Sequence, residues 1–206
     1  MKKLMIIGAG GHGKVVADIA QRTKEYDEIL FLDDGTATDC MGFSIVGKTS
    51  EIETYVNETT DFFVAIGNAK TRERFLERLF ALNANVATLV HPSAVIGSCV
   101  EIGTGTVVVA GAVINPCAKI GKGVIVNTCC SIDHDAVVED YCHISVGARI
   151  AGETVVGKGT WIGAGATVSN GKKVIKECMI GAGAVVVKDV TEMGKYVGVP
   201  AKKIQG

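Results

Sequence analysis

Asp133-His134-Asp135 and His143 are the residues of this chain whose types could do acid-base chemistry. A neutral imidazole beside a carboxylate is a general base, because the carboxylate holds the ring tautomer, raises its basicity and leaves it operating near neutral pH. That role falls to His134, with Asp135 as its carboxylate. The other reading is that both histidines are turn residues satisfied locally; their closeness in the middle of a sparse array favours chemistry. His143 lies nine residues after His134. That is one and a half units of the repeat described below, so the two rings fall on different faces and could share a site only if neighbouring copies pack side by side. No serine or cysteine nucleophile motif, metal-ligand cluster or Walker loop is present. Direct group transfer assisted by a base is what remains.

A second feature concerns ligand binding. Gly8, Gly10 and Gly13 form a G-x-G-x-x-G loop between an apolar strand, Lys3 to Ile7, and a helix with its apolar spacing over Lys14 to Ala20. Backbone N–H groups at such a helix N-terminus bind a pyrophosphate. Asp33, twenty residues past Gly13, could bond a ribose hydroxyl. The segment has room for only half a dinucleotide-binding sheet, and no hydride-transfer domain follows. A nucleotide sugar is therefore favoured over a dinucleotide or an empty structural loop. His12, inside the loop, reads as a ligand donor or as a tolerant turn residue.

The elements that must position these groups are of two kinds. Strands at Glu28 to Leu32, ending in Asp33-Asp34, and at Phe62 to Ile66, ending in Gly67-Asn68, precede a helix over residues 70 to 82. With the first strand and helix they make half of a doubly wound α/β unit, a half-Rossmann unit spanning 1–88. His91-Pro92 marks the junction, and His91 reads as structural. Over 89–206 the pattern changes. Every sixth residue from Val90 to Val186 is isoleucine or valine, seventeen positions without a frame slip. Neither a helical nor a strand period gives six, so the period belongs to a larger unit, a parallel β-helix in which three hexads make one coil. In nearly every copy the fourth residue after the aliphatic is small or compact (Ala112, Ala136, Ala148, Cys130, Cys142), as a narrow interior requires. Glycine often follows the aliphatic, as in Ile102-Gly103 and Ile162-Gly163, where the chain is expected to turn.

Composition narrows the partners. The 206 residues carry a formal net charge of −1 and no basic stripe, which argues against nucleic acid and anionic membrane surfaces. No apolar run reaches eighteen residues and Met1-Lys2-Lys3 leads straight into a strand, so no membrane insertion and a cytoplasmic location are expected. Seven cysteines without a CxxC pair argue against disulfides or a zinc cluster.

The hexad array resembles the left-handed β-helix acyltransferases. Across nearly the whole chain, Ile7-Gly8-Ala9-Gly10-Gly11-His12-Gly13, Phe31-Leu32-Asp33-Asp34, Ala65-Ile66-Gly67-Asn68 and Val197-Gly198-Val199-Pro200-Ala201-Lys202 resemble the sugar acetyltransferases of bacterial glycan pathways. The branches are the UDP-4-amino-sugar N-acetyltransferases of the bacillosamine type, the perosamine N-acetyltransferases and the sialic acid O-acetyltransferases. The resemblance implies acetyl-CoA as cosubstrate without a metal, and a homotrimer with sites between adjacent subunits. It implies His134 as base, tuned by Asp135 where the family more familiarly has glutamate. It further implies His143 and the backbone at Ala164 and Ala182 against acetyl-CoA, and Gly10, Gly11, His12, Asp33, Asp34 and Gly67 around the sugar nucleotide. N-acetylation of a nucleotide-linked 4-amino-4,6-dideoxy sugar is the first expectation. O-acetylation of a sugar such as sialic acid, and a non-catalytic β-helix binding protein, are the alternatives.

Overall fold

A computed structural model describes residues 1–205. The chain divides after Pro92 into two compact units, one of Met1–Pro92 and one beginning at Ser93.

In the first unit, β1 (Lys3–Ile7), β2 (Glu28–Leu32), β3 (Asp39–Cys40), β4 (Phe43–Gly47), β5 (Thr60–Val64) and β6 (Asn85–Val86) form one sheet ordered β3-β4-β2-β1-β5-β6. It is parallel from β4 to β6, with β3 antiparallel at the edge. Helices α1 (Gly11–Thr23) and α2 (Ala69–Ala81) and a 3-10 turn (Thr49–Tyr55) connect the strands. Both helices are amphipathic. α1 buries Val16, Ala17, Ile19 and Ala20, and α2 buries Arg72, Phe75, Leu76 and Leu79, the i, i+3, i+4, i+7 stripe of a helix lying on a core. Asn68 caps α2 by accepting the Thr71 N–H at 3.0 Å. The chain leaves β1 towards β2 on one side, whereas β5 lies on the other, so the carboxyl ends of β1 and β5 flank a topological switch point.

The element boundaries differ from the sequence reading in one consequential way. α1 begins at Gly11, so His12 and Gly13 belong to its first turn and not to a loop. The third parallel strand ends at Val64, two residues early, and the hairpin Asp39–Gly47 with its 3-10 turn fills a stretch that sequence periodicity left unassigned.

The second unit is a left-handed parallel β-helix. Two-residue rungs pair with rungs eighteen positions away, Val107 with Ile125 and Val113 with Ser131, so three hexads make one coil. Three faces result. One runs from Val95–Ile96 to Val185–Val186, the next from Glu101–Ile102 to Lys173–Val174, and the third includes Val107–Val108, Ile125–Val126, His143–Ile144, Trp161–Ile162 and Met179–Ile180. The aliphatic of each hexad points into the bore. Ile114, Ile132, Ile144 and Ile162 have no exposed surface, and each such burial stabilises by about 1.5–3 kcal/mol. Ile96, on the first rung of its face, is 37% exposed. Beside the aliphatics lie Ala112, Ala136, Ala148, Cys130 and Cys142, all fully buried. Burial pushes the Cys130 thiol up to about 12, which makes it an inert packing group. Thr106 and Thr160, also in the bore, give their hydroxyl protons to the carbonyls of Gly121 and Ile175 at 2.8 and 2.9 Å.

The glycine after the aliphatic is not where the chain turns. At the corners from Cys99 to Gly183 the positive φ falls two residues later, at Gly105, Gly147 and Gly165 and also at Cys117, Asp135 and Tyr141. The glycine after the aliphatic serves close approach between coils. A Cβ on Gly103 would lie 2.5 Å from the Gly121 backbone, and one on Gly157 2.4 Å from Lys176 N. Among the described residues no helix is long and apolar enough to cross a membrane.

Candidate active site

His134 and Asp135 occupy the corner after the rung Ser131–Ile132. Asp135 is the left-handed residue of that corner, with φ 58°, a conformation that aspartate tolerates and that turns its side chain back on its neighbour. Asp135 Oδ2 lies 2.8 Å from His134 Nδ1, so the shorter acid reaches the ring. The carboxylate therefore accepts the hydrogen bond of Nδ1–H, which fixes that tautomer and leaves Nε2 as the basic nitrogen. Both side chains remain open to solvent, 51% and 58% exposed. The bond to Asp135 raises the His134 pKa above its ordinary value, with Asp133 and Glu153 adding in the same direction. Asp133 has a different task. Its Oδ1 accepts Asn115 Nδ2 at 2.7 Å and the His134 N–H at 2.8 Å, which anchors the corner and holds its carboxyl below the usual range.

Gly152, one coil on, was missed by motif reading although it stands eighteen residues after His134. A Cβ there would lie 2.6 Å from His134 Nε2 and 2.8 Å from Cε1, so the missing side chain is the space the imidazole occupies.

His143 is on the third face and does not meet His134 within this chain. Its Nε2 lies 3.1 Å from Asn127 Nδ2. Asn127 Oδ1 in turn accepts the Thr128 N–H at 2.8 Å, which orients the amide. Ala164 and Ala182 are exposed on successive coils at the corner after that face. They stack through the Gly183 N–H, which donates to the Ala164 carbonyl at 2.8 Å. Neither alanine finds an acceptor for its own N–H among the described residues.

In the first unit the predicted ligand residues gather at the carboxyl ends of β1, β2 and β5. The glycines divide by role. Gly8, with φ 103°, and Gly13, whose Cβ would lie 2.2 Å from the Gly8 carbonyl oxygen, are required by the backbone. Gly10, Gly11 and Gly67 have open space, with nothing within 4 Å of a Cβ. The first-turn N–H groups of α1 face this space with no intrahelical partner, which is what an anion needs. Asp33 ties the loops together: Oδ2 accepts the Ala9 N–H and Oδ1 the Gly35 N–H, both at 2.8 Å. Its lone pairs for a ribose are those left over. Asp34 is exposed but engaged, accepting the Thr49 N–H at 2.9 Å to cap the 3-10 turn, and these bonds lower its pKa. Beside it Thr49, Ser50, Arg74, Phe75 and Arg78 complete a shallow cleft of about 320 Å³.

His12 is less available as a charged donor than the sequence suggested. Its Nε2 is enclosed without a partner, and burial, reinforced by the Arg72 cation, lowers its pKa to about 4. The imidazole is neutral at physiological pH. Arg72 itself is 1% exposed, and its Nη1 donates to the carbonyls of Ile66 and Gly67 at 2.8 Å each. It fixes the loop carrying Gly67, and helical periodicity alone would have placed an apolar residue there.

Residues 3–79 match the model of the PglD N-terminal domain. The acetyltransferase domain of PglB from Neisseria gonorrhoeae FA1090 is 40% identical and superposes with a TM-score of 0.97, over 99% of this chain and 100% of that one. The chain belongs to the left-handed β-helix sugar acetyltransferases of the bacillosamine and perosamine type. The same Neisseria domain has been solved with acetyl coenzyme A. PerB of this family, from Caulobacter crescentus, was solved with CoA and GDP-perosamine; it is 31% identical with a TM-score of 0.92, over 100% of this chain and 98% of that one. The UDP-N-acetylbacillosamine N-acetyltransferase of Bacillus subtilis (strain 168) is 33% identical over 110 residues, 52% of this chain. That match spans about half of the curated relative's length, 51%.

Proposed function

We propose that the protein transfers the acetyl group of acetyl-CoA to the amine of a nucleotide-linked 4-amino-4,6-dideoxy sugar in bacterial glycan biosynthesis. The observation that carries this reading is the 2.8 Å contact between His134 Nδ1 and Asp135 Oδ2, which leaves an exposed basic Nε2 on a coil with no competing nucleophile motif. The sugar ammonium gives one proton to solvent, and the neutral amine nitrogen attacks the thioester carbonyl. His134 Nε2 takes the proton released as the new C–N bond forms, and Asp135 stabilises the imidazolium. The C–S bond then breaks, and the departing thiolate recovers a proton from that imidazolium. Backbone N–H groups stabilise the oxyanion, and no step requires a metal.

His143 and the unmatched N–H groups of Ala164 and Ala182 hold the cosubstrate in this reading. Gly10, Gly11, His12, Asp33, Asp34 and Gly67 hold the sugar nucleotide, with its pyrophosphate on the N-terminus of α1. His134 and His143 fall on different faces, which supports a homotrimer whose sites take residues from adjacent subunits. A cytoplasmic location, where acetyl-CoA is made, goes with this reading. The test is thiol release from acetyl-CoA with UDP-4-amino-4,6-dideoxy sugars, GDP-perosamine and free or CMP-activated sialic acid. Release with one amino-sugar nucleotide, lost in His134→Ala, is expected. Release with sialic acids alone would replace the reading by O-acetylation, and silence across the panel by a binding role.

A further inference from the structure

Trp161 is the only tryptophan of the chain, and it is 46% exposed. It stands at the outward position of its rung, in register with His143 one coil before and Met179 one coil after. Two contacts hold the indole. Its plane is parallel to the His143 ring within 2°, with centroids 5.8 Å apart, an offset stack. Its Nε1–H donates to Ser145 Oγ at 2.6 Å, and Ser145 is 6% exposed. The polar atom of the indole is thereby used, so what solvent sees is hydrocarbon in one fixed orientation. Three residues on, at the following corner, lies Ala164, and one coil beyond that Ala182, the two alanines whose N–H groups have no acceptor among the described residues. A rigid apolar edge thus precedes a row of unmatched amide donors along the coil axis.

That alternation matches one ligand chemistry, a chain in which methyl and methylene groups alternate with amide carbonyls. We infer that Trp161 is a binding residue for the pantetheine arm of the acyl donor, giving its apolar stretch a preformed wall while the coil's N–H groups take its carbonyls. The inference rests on acetyl-CoA being the cosubstrate. Because the indole is already held, the arm loses less freedom against it than against a mobile side chain. His143 is coupled to this wall through the stack, so occupation of the arm site also steadies that ring.

The chain's single indole makes the test direct. Trp161 emission is followed while the full-length protein is titrated with CoA, and in parallel with adenosine 3′,5′-bisphosphate, which carries the nucleotide but no arm; calorimetry on the same samples records binding. CoA is expected to shift the emission to shorter wavelength with a saturable curve, and the bisphosphate to leave it unchanged. Trp161→Ala is expected to raise the KM for acetyl-CoA about tenfold, the scale of a well-packed aromatic contact, with kcat within about threefold. Trp161→Phe, which keeps the stack and the apolar edge, restores KM to within about threefold of the parent. CoA binding by calorimetry with silent emission would overturn the inference while leaving the acetyltransferase reading intact. So would an unchanged KM in Trp161→Ala accompanied by a change in sedimentation, which would show that another copy of the chain covers the indole. Failure of CoA to bind at all would overturn the functional reading, and the inference with it.

Discussion

Gly152→Ala is the most informative single substitution that the site offers, because it adds one methyl group against the base and nothing else. The new Cβ would start 2.6 Å from His134 Nε2, 2.8 Å from Cε1 and 3.2 Å from Cδ2, where ordinary contact begins near 3.4 Å. The ring must retreat by about 0.8 Å at its basic nitrogen, the difference between 2.6 and 3.4 Å. It can do so cheaply, since it is the far end of a side chain 51% exposed. Gly152 has no left-handed φ, so alanine is tolerated by the backbone, and loss of unfolded-state freedom gives back about 0.4–1 kcal/mol. The fold should therefore hold while the 2.8 Å bond to Asp135 is lost and Nε2 leaves its position. A displacement near 1 Å in a reacting group costs about 100-fold, within the 100- to 10,000-fold that a general base supplies. We expect kcat/KM for the amino-sugar nucleotide to fall about 100-fold by thiol release, with the melting temperature within about 3 °C of the parent. Turnover within about threefold of the parent would refute the assignment of His134, in this rotamer, as the base. A large fall in melting temperature would instead make Gly152 a packing residue of the coil.

Three further outcomes follow from the same geometry. Asp135→Asn removes the main cause of the raised His134 pKa, and activity needs the neutral ring, so the rising limb of kcat/KM against pH should move to lower pH while the plateau falls; an unmoved limb would exclude the dyad. His12 titrates near 6.5 unfolded and about 4 folded, so its contribution is full above 6.5 and is lost as pH falls towards 4. Urea unfolding of the first unit should lose about 2 kcal/mol between pH 7 and pH 5 through this group, a loss that His12→Gln abolishes. Ala148→Leu overfills a bore position with no exposed surface and should destabilise by about 1–3 kcal/mol in denaturant unfolding, whereas a neutral result would mean that the bore is slack there.

The sequence by itself determined the coil, since an aliphatic every six residues fits no simpler element and the rungs confirm it at a spacing of eighteen. It also determined the His134–Asp135 dyad, whose members are chain neighbours and need only the local corner to meet. The glycine loop was legible for the same reason, as strand, turn and helix start are contiguous. What the tertiary structure decided are the properties set by residues far apart in the chain. Only the coil stack shows that glycines after the aliphatics serve close approach, and that Gly152 vacates the space of the His134 ring. Only the folded sheet shows that Asp33 already holds Ala9 and Gly35, and that burial beside Arg72 keeps His12 neutral. The hairpin Asp39–Gly47 escaped because its strands are short and half-exposed, so they carry little hydrophobic periodicity. Local pattern specifies elements that a repeat or an adjacency defines; desolvation, close approach and stacking depend on which distant residues arrive at the same place.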